Sequence, residues 1–171
     1  MDALSAYDAA KTGAELITAL AKLATEAKKS KNPTLHQVFK QLEGEAGKLA
    51  RRLQSDLDEL EADLKNWGID PGGSLLIADH EIAGWNLPKR MAFKKYVRRL
   101  ARMGSAVKNL YADIENVFVC AGEQEALHST VESAYEFRSR LDKEFSQNSS
   151  ISHVISVIKD AINSSLKALE A

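Results

Sequence analysis

A seven-residue repeat of apolar side chains runs through the middle of this chain. Successive steps of three and four residues place such side chains on one stripe of an α-helix, which turns once every 3.6 residues. A long helix with one apolar stripe gains most of its stability by packing against other helices. The repeat therefore predicts a helical bundle. Its members are Phe93, Tyr96, Leu100, Met103, Val107, Leu110, Ile114 and Val117.

The remainder of the chain shows the same helical period, and the alternating pattern of β-strands is absent. Pro33, Pro71 and Pro88 fall where helices begin or break. We expect an all-α fold, an elongated antiparallel bundle of four to five helices that forms a single domain over residues 1–171. The predicted long helices cover residues 3–28, 33–67, 88–120, 124–146 and 151–168, and a short extra helix is expected in the 68–86 connection.

Two segments of the pattern are less regular. Gly44 and Gly47 interrupt the second predicted helix, which indicates either close approach of a neighbouring helix or a hinge. The fourth predicted helix has a weaker apolar stripe, in which Arg138 stands where an apolar residue is expected. The members of that stripe are Leu127, Val131, Ala134, Leu141 and Phe145.

Positive charge is concentrated in one part of the sequence. The formal net charge is only −1, from 23 cations and 24 anions, so attraction of anions by the molecule as a whole is not expected. Between Ile82 and Ala112, however, the chain has eight Lys or Arg residues and no Asp or Glu. Many of these cations lie near the start of a predicted helix, where the helix dipole disfavours them. Local helix stability therefore does not explain them.

The heptad repeat predicts where these cations point. With Phe93 at the first heptad position, four of them fall on the side away from the apolar stripe, and we name these four the basic face: Lys94, Lys95, Arg98 and Arg102. Arg99 flanks the stripe and is expected to pair with the acidic run of residues 56–63. Lys94, Arg98 and Arg102 follow one another at spacings of four residues, so they are neighbouring like charges that repel.

The basic face is the predicted partner-binding site, and the expected partner is a protein with an acidic surface. The other interpretation is a solvated helix face that favours solubility, or one that is covered by Glu132, Glu136 or Asp142. Nucleic acid is disfavoured as a partner, because the aromatic side chains within the basic segment occupy core positions and cannot stack on bases.

A second functional hypothesis concerns the terminal amphipathic helix at 151–168. This helix has few charges, so it could detach and bind or perturb an anionic membrane surface. It could also pack against a second copy of the chain, which would give a homo-oligomer.

The sequence contains no catalytic or cofactor-binding motif, so we expect a non-enzymatic interaction or regulatory module that needs no cofactor. Glu125 and His128 match one part of a carboxylate-bridged di-iron site, but the second copy that such a site requires is absent, and no metal site is expected. Cys120 is the single cysteine, which fits a reducing compartment. No apolar stretch approaches the length of a membrane span. The expected location is cytoplasmic, at most peripheral to a membrane.

Overall fold

The computed structural model describes residues 3–170, and side chains from residue 5 onward. Within this range the secondary structure consists of helices without strands, which confirms the predicted all-α bundle with a short helix between the second and third long ones. The helices are α1 (Ala3–Lys29), α2 (Pro33–Asn66), α3 (Leu75–Ala83), α4 (Leu87–Cys120), α5 (Gln124–Glu144) and α6 (Ile151–Glu170).

Side-chain caps fix the starts of the two longest helices. The Asn32 side chain accepts a hydrogen bond from the Thr34 amide at 2.9 Å, and Pro33 occupies the first turn of α2, where its missing N–H costs nothing. Asn86 caps α4 in the same way, through the Lys89 amide at 3.1 Å. Each of these helices has 34 residues and is therefore roughly 50 Å long.

Helix α1 lies at the centre of the bundle. It packs against α2, α4, α5 and α6 along its length and against α3. Small side chains allow these neighbours to come close. A methyl group added at Gly13, for example, would lie 3.2 Å from Leu53 Cδ2 of α2. The buried side chains of α1 are Ala6, Tyr7, Ala10, Ala14, Ile17, Ala19, Leu20, Ala21, Leu23, Ala24 and Ala27.

Contacts between side chains define the helix directions. Gln54 of α2 donates to Asn163 of α6 at 2.6 Å, and Lys159 pairs with Asp58 four residues further along α2, so these helices are antiparallel. Helices α4 and α6 run parallel to the central α1, whereas α2 and α5 run antiparallel to it. The Ser30 hydroxyl after α1, for instance, lies 3.4 Å from the Glu123 carboxylate after α4.

The ring of helices around α1 is open on one side. Helix α2 packs between α4 and α6, and α4 also contacts α5. Helices α5 and α6 have little packing contact with each other, although Glu144 and His153 pair at 2.6 Å near the turn between them. A groove of about 500 Å³ lies between them. Its floor includes Thr18 of α1 and Ser165 of α6, whose hydroxyl oxygens are 3.4 Å apart.

An aromatic cluster holds the start of α4 against the end of α2. Trp67 contacts Trp85 and Tyr96 edge to face, with ring centroids 5.5 and 6.3 Å apart, and Trp85 contacts Phe93 in the same manner at 6.3 Å. Such pairs add about 0.5–1.5 kcal/mol each beyond the burial of their surface. The cluster therefore stabilises the start of α4 in the rotation that directs the basic face outward.

The prediction that a neighbouring helix comes close at Gly44 and Gly47 is wrong. A methyl group added at Gly44 would meet no atom within 4 Å, and one at Gly47 would meet only the Arg51 guanidinium at 3.4 Å. Helix α2 continues through both positions without a break. The small residues of α1, and not these glycines, provide the close contact between α1 and α2.

Candidate functional site

All four residues of the basic face are exposed on the outer side of α4. The side chains that alternate with them, among them Phe93, Tyr96 and Leu100, are buried against α1 and α2. This is the helical phase that the heptad repeat predicts. The basic face comprises Lys94, Lys95, Arg98 and Arg102.

None of these four cations makes an ion pair or a hydrogen bond with any side chain that the structure describes. Lys94, Arg98 and Arg102 lie one helical turn apart, so each stands beside a like charge. Within residues 5–170, the basic face therefore has no carboxylate paired with any of its cations.

The acidic run of α2 is the nearest candidate for neutralising these cations, and it is engaged elsewhere. Arg99 pairs with Asp56 and, at 2.9 Å, with Glu59, which confirms the pairing expected from the sequence. The remaining acids of the run contact other groups: Asp63 accepts from the Tyr96 hydroxyl, and both Asp58 and Glu61 pair with Lys159 of α6.

The contacts between α2 and α4 also shift the pKa values of the groups that make them. Hydrogen bonds from Arg99 lower the pKa of the Glu59 carboxyl below its ordinary value. Burial, together with the hydrogen bond to Asp63, raises the pKa of the Tyr96 hydroxyl. Hydrogen bonds to Glu59 and Asp56 raise the pKa of the Arg99 guanidinium. The carboxylates of Asp56, Glu59 and Asp63 are therefore engaged by Arg99 and Tyr96 in the seam between α2 and α4.

The acids of α5 do not cover the basic face either. Asp142 pairs with Lys11 of α1 at 2.6 Å, and Glu132 lies 3.2 Å from His128 one turn earlier on its own helix. Glu136 is exposed and makes no ion pair with the described residues. Among the described side chains, none of these three acids pairs with a cation of the basic face, so the interpretation that one of them covers it has no support.

Two apolar side chains that the sequence reasoning did not single out extend the basic face toward the start of α4. Leu87 is 60% exposed and Met91 is 55% exposed. At about 100° per residue, both fall within the same sector of about 100° as the four cations. A helical wheel that included exposed apolar positions would have identified them. Apolar side chains beside cations are typical of protein interfaces, where Met and Arg are enriched.

A cleft between α2 and α4 adjoins the basic face. It encloses about 340 Å³, and Arg52 of α2 and Arg102 of α4 line it together with Arg99 and Asp56. Sequence reasoning missed Arg52, because the apolar repeat of each helix gives its buried side but not the register between two helices. The register follows from the Arg99–Asp56 pair in an antiparallel hairpin. Four residues before Asp56, position 52 faces the next turn of α4.

The apolar face of α6 is packed on its own chain. Val154, Ile155, Ile158, Ile162 and Leu169 are all at most 1% exposed and belong to the core that α6 forms with α1 and α2. Among residues 3–170, no helix has the length and the apolar character that crossing a bilayer requires. The apolar side of α6 is therefore part of the core and not an exposed surface.

The described side chains contain no group of three or more His, Cys, Asp or Glu residues placed to hold a metal ion. His128, from the di-iron spacing, is exposed and contacts Glu132. Cys120 is exposed at the end of α4. Comparison of this chain with protein-family models, curated proteins and solved structures finds no match.

Proposed function

We propose that this chain is a non-enzymatic interaction module that binds a protein with an acidic surface through Lys94, Lys95, Arg98 and Arg102. The observation that supports the proposal is the absence of a counterion for these cations among the described side chains, although α2 has five acids nearby. All five are engaged by Arg99, Tyr96 and Lys159. The cations of the proposed binding surface therefore remain available to pair with carboxylates of a partner.

The same surface has the composition of a docking site. Leu87 and Met91 supply apolar area that water can leave on binding, and the four cations supply attraction and orientation. The rigid α4 backbone, held by the aromatic cluster at its start, presents these side chains without a loop that has to be ordered. Binding by such a surface costs little conformational entropy of the backbone.

The experiment compares two double variants that change net charge equally. Lys94→Glu/Arg98→Glu reverses two charges of the basic face. Lys40→Glu/Lys143→Glu reverses two exposed cations, on α2 and α5, that also have no ion pair with a side chain of residues 5–170. Each protein is immobilised, incubated with cell extract at low salt, and the retained proteins are identified by mass spectrometry. We expect acidic proteins to be retained by the unmodified chain and by the α2/α5 variant, and to be lost from the α4 variant.

Retention of the same proteins by both double variants would overturn the proposal. Retention should also weaken as salt is raised, because the Debye length is only about 8 Å at physiological ionic strength. Sedimentation with vesicles provides the second arm. If the unmodified chain sediments with anionic vesicles and the α4 variant does not, while neither retains acidic proteins, the basic face binds lipid and the proposed protein partner is rejected.

A further inference from the structure

The cleft between α2 and α4 has a charge that the fold leaves unbalanced. Its lining includes three guanidinium groups, those of Arg52, Arg99 and Arg102, and one carboxylate, that of Asp56. The formal charge of the lining is therefore three minus one, or +2. Leu49 and Met103 form an apolar floor below these groups.

The three arginines are not equivalent. Arg99 is fixed by Asp56 and Glu59, so its guanidinium is already engaged by two carboxylates. Arg52 and Arg102 have no ion pair or hydrogen bond with the described side chains. One of them belongs to α2 and the other to α4, so two unpaired guanidinium groups line one cleft from opposite helices.

Two guanidinium groups match a phosphate monoester better than a carboxylate. Near neutral pH a phosphate monoester carries a charge between about −1.5 and −2 and has three acceptor oxygens. A guanidinium can donate two parallel N–H bonds to such oxygens. A single carboxylate has only one negative charge, which would leave one of the two arginines uncompensated.

The neighbouring groove favours a peptide as the carrier of the phosphate. A second groove, of about 450 Å³, shares Leu49, Arg52 and Ala106 with the cleft and continues along α2 and α4. Its charged lining has both signs, since Glu45 and Asp113 are acidic whereas Lys48 and Arg52 are basic. Two carboxylates would repel an anionic bilayer, whereas a peptide with an apolar or basic residue beside its phosphate could lie along this groove.

We propose that the cleft between Arg52 and Arg102 binds a phosphorylated serine or threonine side chain of the protein partner. This inference rests on the proposed function, because Arg102 belongs both to the basic face and to the cleft. The basic face attracts the acidic partner, and the cleft selects its phosphorylated form.

The test uses the full chain and three synthetic peptides, acetyl-Glu-Glu-X-Ala-Lys-amide, in which X is phosphoserine, serine or glutamate. The two glutamates suit the basic face, and the alanine and lysine suit the groove that contains Glu45 and Asp113. Binding is measured by calorimetry, and the side-chain Nε–Hε signals of arginine are followed by NMR. We expect the phosphoserine peptide to bind at least about tenfold more tightly than either of the others. We also expect the Arg52 and Arg102 signals to shift more than that of Arg140 on α5.

The matched variants are Arg52→Gln and Arg51→Gln. Arg51 is the adjacent exposed residue, but it pairs with Glu170 of α6 and does not line the cleft. We expect Arg52→Gln to abolish the preference for phosphoserine and Arg51→Gln to retain it, with native amide spectra for both. A preference that survives Arg52→Gln would overturn the site.

The outcomes separate this inference from the proposed function. If all three peptides bind with equal affinity and Lys94→Glu/Arg98→Glu abolishes their binding, the basic face remains a docking surface but the phosphate site is rejected. If vesicles that contain phosphatidylinositol phosphate compete out the phosphoserine peptide at lower phosphate concentration, a peptide is rejected as the carrier of the phosphate.

Discussion

Arg99 on α4 donates a hydrogen bond to Asp56 on α2, and Asp56 is the one acidic or basic side chain among those described that is buried, at 7% exposure. Removal of the guanidinium would leave this carboxylate without a partner inside the seam between the two helices. We expect Arg99→Ala to lower the free energy of unfolding by about 1–2 kcal/mol, since an unpaired buried polar group costs that much. Urea unfolding monitored by circular dichroism measures the change.

The control for this prediction is the adjacent Arg98, which is exposed and has no ion pair with the described residues. We expect Arg98→Ala to change the free energy of unfolding by no more than about 0.5 kcal/mol. Equal losses in both variants would show that the Asp56 pair contributes nothing specific to stability.

The pH dependence of stability should reflect two carboxylates that shift in opposite directions. Hydrogen bonds from Arg99 lower the pKa of Glu59, so its contribution is fully present above its ordinary value of 4.5 and is lost as pH falls through the lower folded value. Burial raises the pKa of Glu15 above 4.5, so the folded state loses stability as pH rises through the raised value.

Substitutions separate these two effects. We expect Glu59→Gln to reduce the loss of thermal stability between neutral pH and pH 3, and Glu15→Gln to increase that loss because the unmodified Glu15 partly offsets it. Melting temperatures recorded every half pH unit provide the measurement. If melting temperature varied with pH in the same way for both variants, the opposite pKa shifts of Glu59 and Glu15 would be contradicted.

The hydroxyl of Tyr7 is buried in the core without a hydrogen-bond partner among the described residues. Burial, with a smaller effect from Glu61, raises the pKa of this hydroxyl. Folding removes the group from water and provides no bond in return, so we expect Tyr7→Phe to increase the free energy of unfolding by about 1 kcal/mol.

Tyr96 is the matched control for this variant, because its hydroxyl donates to Glu59 at 3.2 Å and also to Asp63. Tyr96→Phe should lower the free energy of unfolding by about 1 kcal/mol. Chemical unfolding of both variants under the same conditions measures the two changes. A loss of stability in Tyr7→Phe would contradict the conclusion that the buried Tyr7 hydroxyl has no hydrogen-bond partner among the described residues.

Gly44 lies in the exposed middle of α2, with open space where a methyl group would stand. We expect Gly44→Ala to stabilise the protein by about 0.5–1 kcal/mol, because alanine loses less backbone entropy in a helix. Gly13→Ala should give no such gain, since its methyl group would press on Leu53 at 3.2 Å. Differential scanning calorimetry of the two variants tests this contrast. Similar gains in stability from both substitutions would refute it.

Helix positions and the direction of the basic face were predictable from the sequence. The apolar repeat from Phe93 to Val117 fixes the rotation of α4, because only one rotation buries all of its apolar side chains. The Asn32–Pro33 pair likewise marks the start of α2 through the chemistry of its cap. Both predictions use local patterns: successive members of the apolar repeat are three or four residues apart, and Asn32 and Pro33 are adjacent.

The rotation of α5 was predicted less well. The expected stripe included Val131, which is 54% exposed, and omitted Phe137, which is buried. Apolar residues are sparse on this helix, so several rotations bury similar numbers of them. The choice depends on α1, where Lys11 pairs with Asp142 and lies 5.6 Å from the centre of the Phe145 ring. Contacts of this kind between distant segments do not appear in the period of one helix.

The central position of α1 was not predicted either. Its alanine-rich sequence indicated close packing, but the number of neighbours depends on how the later helices are arranged. The two parallel neighbours, α4 and α6, follow from that arrangement. The cleft between α2 and α4 was missed for the same reason, since only the register between these helices shows that Arg52 and Arg102 line it together.

Synthesis on the ribosome runs from α1 toward α6, so the helix that forms the centre of the bundle is made before every helix that covers it. Until α6 has emerged, one flank of α1 that includes Thr18 and Ala21 lacks its final cover. We therefore expect native packing to be completed in a late, cooperative step after α6 is released. A nascent chain that stalls earlier would display apolar surface of the kind that leads to aggregation.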